Sequence, residues 1–199
     1  MMSAHALRDS RVDTQAPGRA RQLANFAVFQ CAWFAAVLGA AHGHPLWGTA
    51  AVLAAMAWHV ATAARPRVEA SLLCAVGAIG FVVETGVVLQ GHVVYPSGQP
   101  VSSLAPYWMV ALWGLLGMAL NVTVRWLKHR PLLASVLGAV AGPLSFVSGV
   151  RLGGAQFVDR TPALITLACV WAVAMPILMA LSNRFDGVAV PDAKEATHA

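Results

Sequence analysis

Residues 71–89 read SLLCAVGAIGFVVETGVVL, a run in which Glu84 is the one charged side chain. Its length is close to the roughly 20 apolar residues that carry a helix across a bilayer. Nothing in it alternates as a barrel strand must, so it reads as a membrane-spanning helix. Glu84 is also the one carboxylate placed inside any long apolar run. Asp9, Asp13, Glu69, Asp159, Asp186, Asp192 and Glu195 are assigned to polar ends or loops. A charge at that depth costs roughly 2.5–3.5 kcal/mol on insertion scales, and therefore marks a pathway, a site or a buried partner.

Five further runs flank this one: 23–41, 47–64, 105–124, 132–150 and 163–182. The whole chain is 58% hydrophobic and 11% charged, with a mean hydropathy of +0.67. A soluble domain carries roughly 25% charged residues, so a water-soluble fold is excluded. The expectation is an all-α bundle of six transmembrane helices over residues 23–182. Residues 1–22 read as a polar, mobile N-terminal segment and residues 183–199 as a disordered tail. The first run carries Asn25 and Gln30 and exceeds the roughly 7–15 residues of a signal core, so it reads as a retained helix. With the N-terminus inside, eleven Lys and Arg fall on the cytoplasmic side and two, Arg151 and Arg160, on the other. This predicts that both termini are cytoplasmic. The net charge of +5 comes from short clusters between apolar runs, without interleaved aromatics, and argues against nucleic acid as a partner.

Helical spacing places Gly77, Gly80 and Glu84 within an arc of about 60°. Small residues mark close approach of helices in lipid, so Glu84 is expected to face the bundle, about 8 Å below the outer end. Ser135, Gly138, Gly142, Ser145 and Gly149 form a second small-residue face, which suits tight packing within the chain, a homodimer or another membrane subunit. Pro143 and Pro176 each remove an amide hydrogen, freeing a carbonyl near Ala139 and Ala172. Arg151, closing the fifth run on the outer side, is the expected ion-pair partner of Glu84; the alternative is an interfacial arginine beside a neutral, hydrogen-bonding acid. Gln30 and Trp33 are placed toward the interior and Trp108 at the outer interface. Asn121 is expected to hydrogen-bond between helices, His59 to be packed or hydrogen-bonded, and Arg125 to snorkel. Cys31, Cys74 and Cys169 lack metal-ligand or redox spacing, and His42, His44 and His92 form no complete ligand set. No metal and no cofactor motif is recognised, and no nucleotide or hydrolase motif appears.

Three stretches carry a family resemblance: residues 25–34 (NFAVFQCAWF) with 38–40, residues 113–127 including NVTVRWL, and residues 142–153 (GPLSFVSGVRLG). Together they resemble the uncharacterised bacterial inner-membrane family called domain of unknown function 2878, over roughly residues 23–182. Against that pattern Glu84 stands where Asp is usual, and Phe146 where a Tyr is expected. The resemblance implies a multi-pass bacterial membrane protein with no established activity, loosely associated with lipid modification. Three functions follow as expectations. In the first, Glu84 is the acid/base of an enzyme or accessory factor acting on membrane lipids, with Arg151, Gln30 and Asn121 binding the ligand. In the second, Glu84 titrates in a small proton-coupled carrier. In the third, the chain is a non-catalytic scaffold in which a Glu84–Arg151 pair locks helices together.

Overall fold

The structure is a computed structural model describing residues 17–189. Among the described residues there are six α-helices: α1 (Arg19–Ala41), α2 (Pro45–Ala61), α3 (Pro66–Leu89), α4 (Tyr107–Leu120), α5 (Pro131–Arg151) and α6 (Arg160–Arg184). Three of them, α2, α3 and α5, have proline as their first residue, where its missing N–H has no helical partner to lose and its φ is already helical. α1, α3, α5 and α6 are long and apolar enough to cross a membrane by length and composition. α2 and α4 are shorter, with 17 and 14 residues, or about 25 and 21 Å of helix.

Sequential helices pair as hairpins, α1 with α2, α3 with α4 and α5 with α6. α4 is the centre, packed on α1, α2 and α3 and touching α6. Nine of its 14 residues are buried, which is why it can be apolar all round. It stops at Leu120, short of the run that extends to 124, because Asn121 turns inward. Asn121 Nδ2 donates to Glu69 Oε2 and to the Phe185 carbonyl, both at 2.9 Å. A 3-10 turn, Arg125–Leu127, then leads into α5.

A two-stranded ribbon, β1 (Val93–Val94) and β2 (Gln156–Phe157), ties the segment after α3 to the one before α6, with Val93 opposite Phe157. No strand is expected from the apolar runs. The ribbon marks one end of the bundle, the ribbon end. The other end is closed by residues 185–189, which are packed rather than loose, correcting the tail expected from 183. Arg184 still belongs to α6, and Val188 is 4% exposed. The Gly187 amide donates to Glu69 Oε2 at 2.9 Å, and the Arg65 amide donates to the Gly187 carbonyl at 2.8 Å. A Cβ on Gly187 would press on Arg65 and Glu69 backbone, so this segment closes down because glycine lets it. The expected mobile N-terminal segment lies outside the described residues up to position 16, as does the tail beyond 189.

The first part of the small-residue face of α5, Ser135 to Gly142, is filled by α6, while Ser145 and Gly149 line an open space. A Cβ at Gly138 would meet the Trp171 carbonyl and Met175, and one at Gly142 the Trp171 ring. Ser135 Oγ donates to the Ala172 carbonyl at 2.7 Å, the acceptor that Pro176 leaves without its helical donor. Ser135→Ala should therefore cost about 1 kcal/mol, measured by thermal unfolding in detergent. Adding Pro176→Ala, which restores the helical donor, should recover most of that loss; equal effects of Ser135→Ala with and without Pro176 would refute the pairing.

Candidate functional site

Two buried polar clusters flank the core, both built on one face of α3. Its buried residues are Glu69, Leu72, Leu73, Val76, Gly80, Glu84 and Val87, so the two carboxylates lie 15 positions apart on a shared face.

At the ribbon end Glu84 is 1% exposed. Tyr95 Oη donates to its Oε2 and Trp113 Nε1 to its Oε1, each at 2.9 Å. Tyr95 follows β1 directly, so the ribbon sets its position; its ring meets Trp108 edge-on at 5.8 Å. Burial, and then the Glu84 carboxyl beside it, hold the Tyr95 hydroxyl well above its ordinary range, which keeps it a donor. Trp113 stacks on Trp171 at 4.7 Å and 18°. Gly80 and Gly142 stand on either side of this indole pair, and a Cβ at either would fall on the neighbouring ring. The glycines beside Glu84 and on α5 thus make room for indoles.

Arg151 is not the partner of Glu84. It closes α5 as expected, but its side chain is exposed and forms no ion pair among the described residues. The reason is geometric: two neutral donors already fill the carboxyl, and Trp113, 3% exposed, seals it. Trp108 is likewise not an interface residue. It is 1% exposed and donates to the Ser97 carbonyl at 3.1 Å.

A cavity of about 850 Å³ lies beside this cluster, between the α1 and α4 side and the α5–α6 hairpin. α1 and α5 scarcely touch each other, which leaves it open lengthwise. Gln30 and Trp33 line it from α1 and Trp113 from α4, while Phe146 and Arg151 line it from α5 and Trp171 from α6. Glu84 reaches its wall behind Trp113. The structure therefore gathers Glu84, Gln30 and Arg151 around one space. Position 146 carries no phenol; the hydroxyl near the carboxyl comes from Tyr95.

Asn121 belongs elsewhere. At the opposite end His59, Glu69 and Asn25 are each no more than 1% exposed. Asn25 Nδ2 donates to the Met118 carbonyl at 3.2 Å, while Thr123 Oγ1 donates to Asn25 Oδ1 at 2.8 Å. A carbonyl can only accept, so the amide orientation is fixed. The same Nδ2 lies 3.3 Å from His59 Nδ1, which must then hold the lone pair. The imidazole proton sits on Nε2 and is donated to Glu69 Oε1 at 2.7 Å. Glu69 Oε2 takes Asn121 and the Gly187 amide, so the carboxylate accepts from three donors.

Outside this network Asp186 binds Arg125 at 2.6 Å and Lys128 at 2.8 Å, so Arg125 is an ion-pair member as well as an end-of-helix cation. Burial alone would raise the Asp186 carboxyl, but Lys128, the Ala189 amide and Arg125 hold it below the usual range. Lys128 moves down too, because its own burial outweighs its pairing with Asp186. Glu69 escapes a reading of runs, and Asn25, though seen inside the first run, is not joined to it by any pattern. Glu69 in a first helical turn looks like an ordinary charge against the helix dipole. Its place on the face shared with Leu73, Val76 and Gly80 is the signal that separates it.

A family model described as "Protein of unknown function (DUF2878)" matches residues 22–177. No curated protein and no solved structure matches the chain.

Proposed function

From a chain that belongs to the DUF2878 family and places a buried carboxyl against an apolar cavity, we propose a multi-pass membrane protein, bacterial and of the inner membrane, acting on a lipid-phase substrate. In this reading all six helices cross the bilayer, with the ribbon end outside and both termini in the cytoplasm. α2 and α4 span as shorter helices at the centre of the bundle, completed by the turns at their ends. The Lys and Arg bias supports that orientation. The observation that carries the function is the joining of one acidic side chain, Glu84, to an apolar space of about 850 Å³, a volume suited to a small organic ligand. Glu84 acts as acid/base, and the Trp113 indole swings from it to admit the reacting group. Tyr95 keeps one carboxyl oxygen oriented. No cofactor enters this proposal, and membrane lipids are its partners.

Glu84→Gln tests it. A glutamine can accept from Trp113 through its oxygen and donate to the Tyr95 oxygen through its nitrogen, so the fold should tolerate it. The expected result is normal folded yield with altered membrane lipid composition in cells. A second reading is favoured by the complete pairing of the carboxyl: Glu84 fastens α3 to α4 and the ribbon, in a scaffold that holds another membrane subunit. It predicts reduced folded yield with unchanged lipids. A carrier whose uptake follows a pH gradient and is lost in Glu84→Gln would replace both.

A further inference from the structure

We infer that the cavity is a groove for a single hydrocarbon chain bearing an anionic head, with the head at Arg151 and the chain running toward Trp126. This rests on the lipid-phase reading of the same site and adds the ligand's shape, charge and direction. The first ground is length. The α5 lining runs from Leu137 to Arg151, 14 steps and therefore about 21 Å. Trp126 and Leu127 close the far end. A space that long, walled by α1 and α5 with little contact between them, suits an extended chain better than a compact ring system.

The second ground is charge. Arg151 is the single cation among the described lining residues, and Glu84 the single acid. Glu84 is sealed behind Trp113 and spent on two donors, so it does not neutralise Arg151. Arg151 has no ion-pair partner among the described residues, and its guanidinium suits a carboxylate or phosphate bidentately. The third ground is the track below it. Gly149 has nothing within 4 Å of the position a Cβ would take, and Ser148 Oγ is turned onto the Leu144 carbonyl of its own helix. The groove just beneath the arginine is open and presents no competing polar group from these two residues.

The experiment uses the purified chain in phosphatidylcholine nanodiscs and reads quenching of its tryptophans. The probes are stearate brominated near its methyl end, the alcohol of equal length and bromination, and sodium phosphate. Saturable quenching by the acid is expected, with the alcohol weaker. Arg151→Gln should weaken the acid about tenfold, as loss of a charged hydrogen bond implies, and remove its preference over the alcohol; Arg151→Lys should keep that preference. Trp126→Phe should diminish quenching by the terminal bromines. Gly149→Leu adds a side chain where there is space, so it should fold and yet block the chain. Linear quenching, equal binding of acid and alcohol, indifference to Gly149→Leu, or displacement of the acid by millimolar phosphate would each overturn the inference. If the acid saturates while Glu84→Gln leaves cellular lipids unchanged, the groove stands and the acid/base role falls. If lipids change but quenching never saturates, the groove alone falls.

Discussion

Glu69→Leu is expected to cost at least about 3 kcal/mol of stability. The substitution leaves His59 Nε2–H, Asn121 Nδ2–H and the Gly187 amide without their acceptor, and each buried donor stranded in this way costs about 1–3 kcal/mol. Total stabilities of about 5–15 kcal/mol make that a large share. Glu69→Gln should fall between, because one amide oxygen can face His59 or the Asn121 and Gly187 pair, but not both sides. His59→Leu in the Glu69→Leu background removes one stranded donor, so the double variant should be less damaged than the sum of the singles. The checks are thermal unfolding in detergent and hydrogen exchange at the Gly187 amide. That amide should lose protection in Glu69→Leu before the helices do, since residues 185–189 close onto this carboxylate. Retained protection with a shift in unfolding below about 1 kcal/mol would show that the network is not what holds this end.

What the sequence makes legible follows from local periodicity. The six apolar runs mark six helices because an uninterrupted run has no other way to satisfy its backbone in lipid. Glu84 stands out because a charge in such a run is expensive. The carbonyl freed by Pro176 is readable from covalent chemistry alone, and Ser135 is found donating to it. The partners of Glu84 are not readable in that way. Tyr95 arrives through a ribbon that pairs Val93 with Phe157, a contact between distant segments that no helix pattern encodes. Trp113 is one of seven tryptophans, distinguished only by the glycine opposite it in space. Opposite charge points to Arg151 instead, but a buried carboxyl can be satisfied by neutral donors, which leaves the guanidinium exposed and outside the ion pairs of the described residues. Asn121 is read into one site with Glu84 because both are polar within apolar runs, although their places in those runs already lie toward opposite ends. The structure keeps them in separate clusters, Glu84 with Tyr95 and Trp113 and Asn121 with Glu69.

Gly80→Ala and Gly77→Ala should act with opposite signs, although the two residues lie one turn apart on α3. Alanine gains about 1 kcal/mol over glycine inside a helix. At Gly77 the nearest neighbour of an added Cβ is the Val110 carbonyl at 3.8 Å, an ordinary contact, so the gain is kept. At Gly80 the same methyl would fall on Cβ and the ring of Trp113. Rotating the ring cannot clear its own Cβ, so α3 and α4 must part here, and the indole gives up its bond to Glu84 and its stack on Trp171. Overpacking of this kind costs about 1–3 kcal/mol, and stranding part of the Glu84 carboxyl adds about 1–3 more. After the propensity gain the net loss should be about 1–5 kcal/mol. Thermal unfolding reads the sign, and near-ultraviolet circular dichroism reads the broken indole stack, which Gly77→Ala should leave intact. Gly142→Ala approaches the same pair from the Trp171 side and should change the same spectrum. Trp113→Gly should relieve more of the Gly80→Ala penalty than Trp113→Ala, because alanine keeps the Cβ on which the added methyl falls, so the glycine pair should be strongly non-additive. Equal shifts at positions 77 and 80 would mean that the indole yields without cost, and that Glu84 is opened far more easily than its two hydrogen bonds imply.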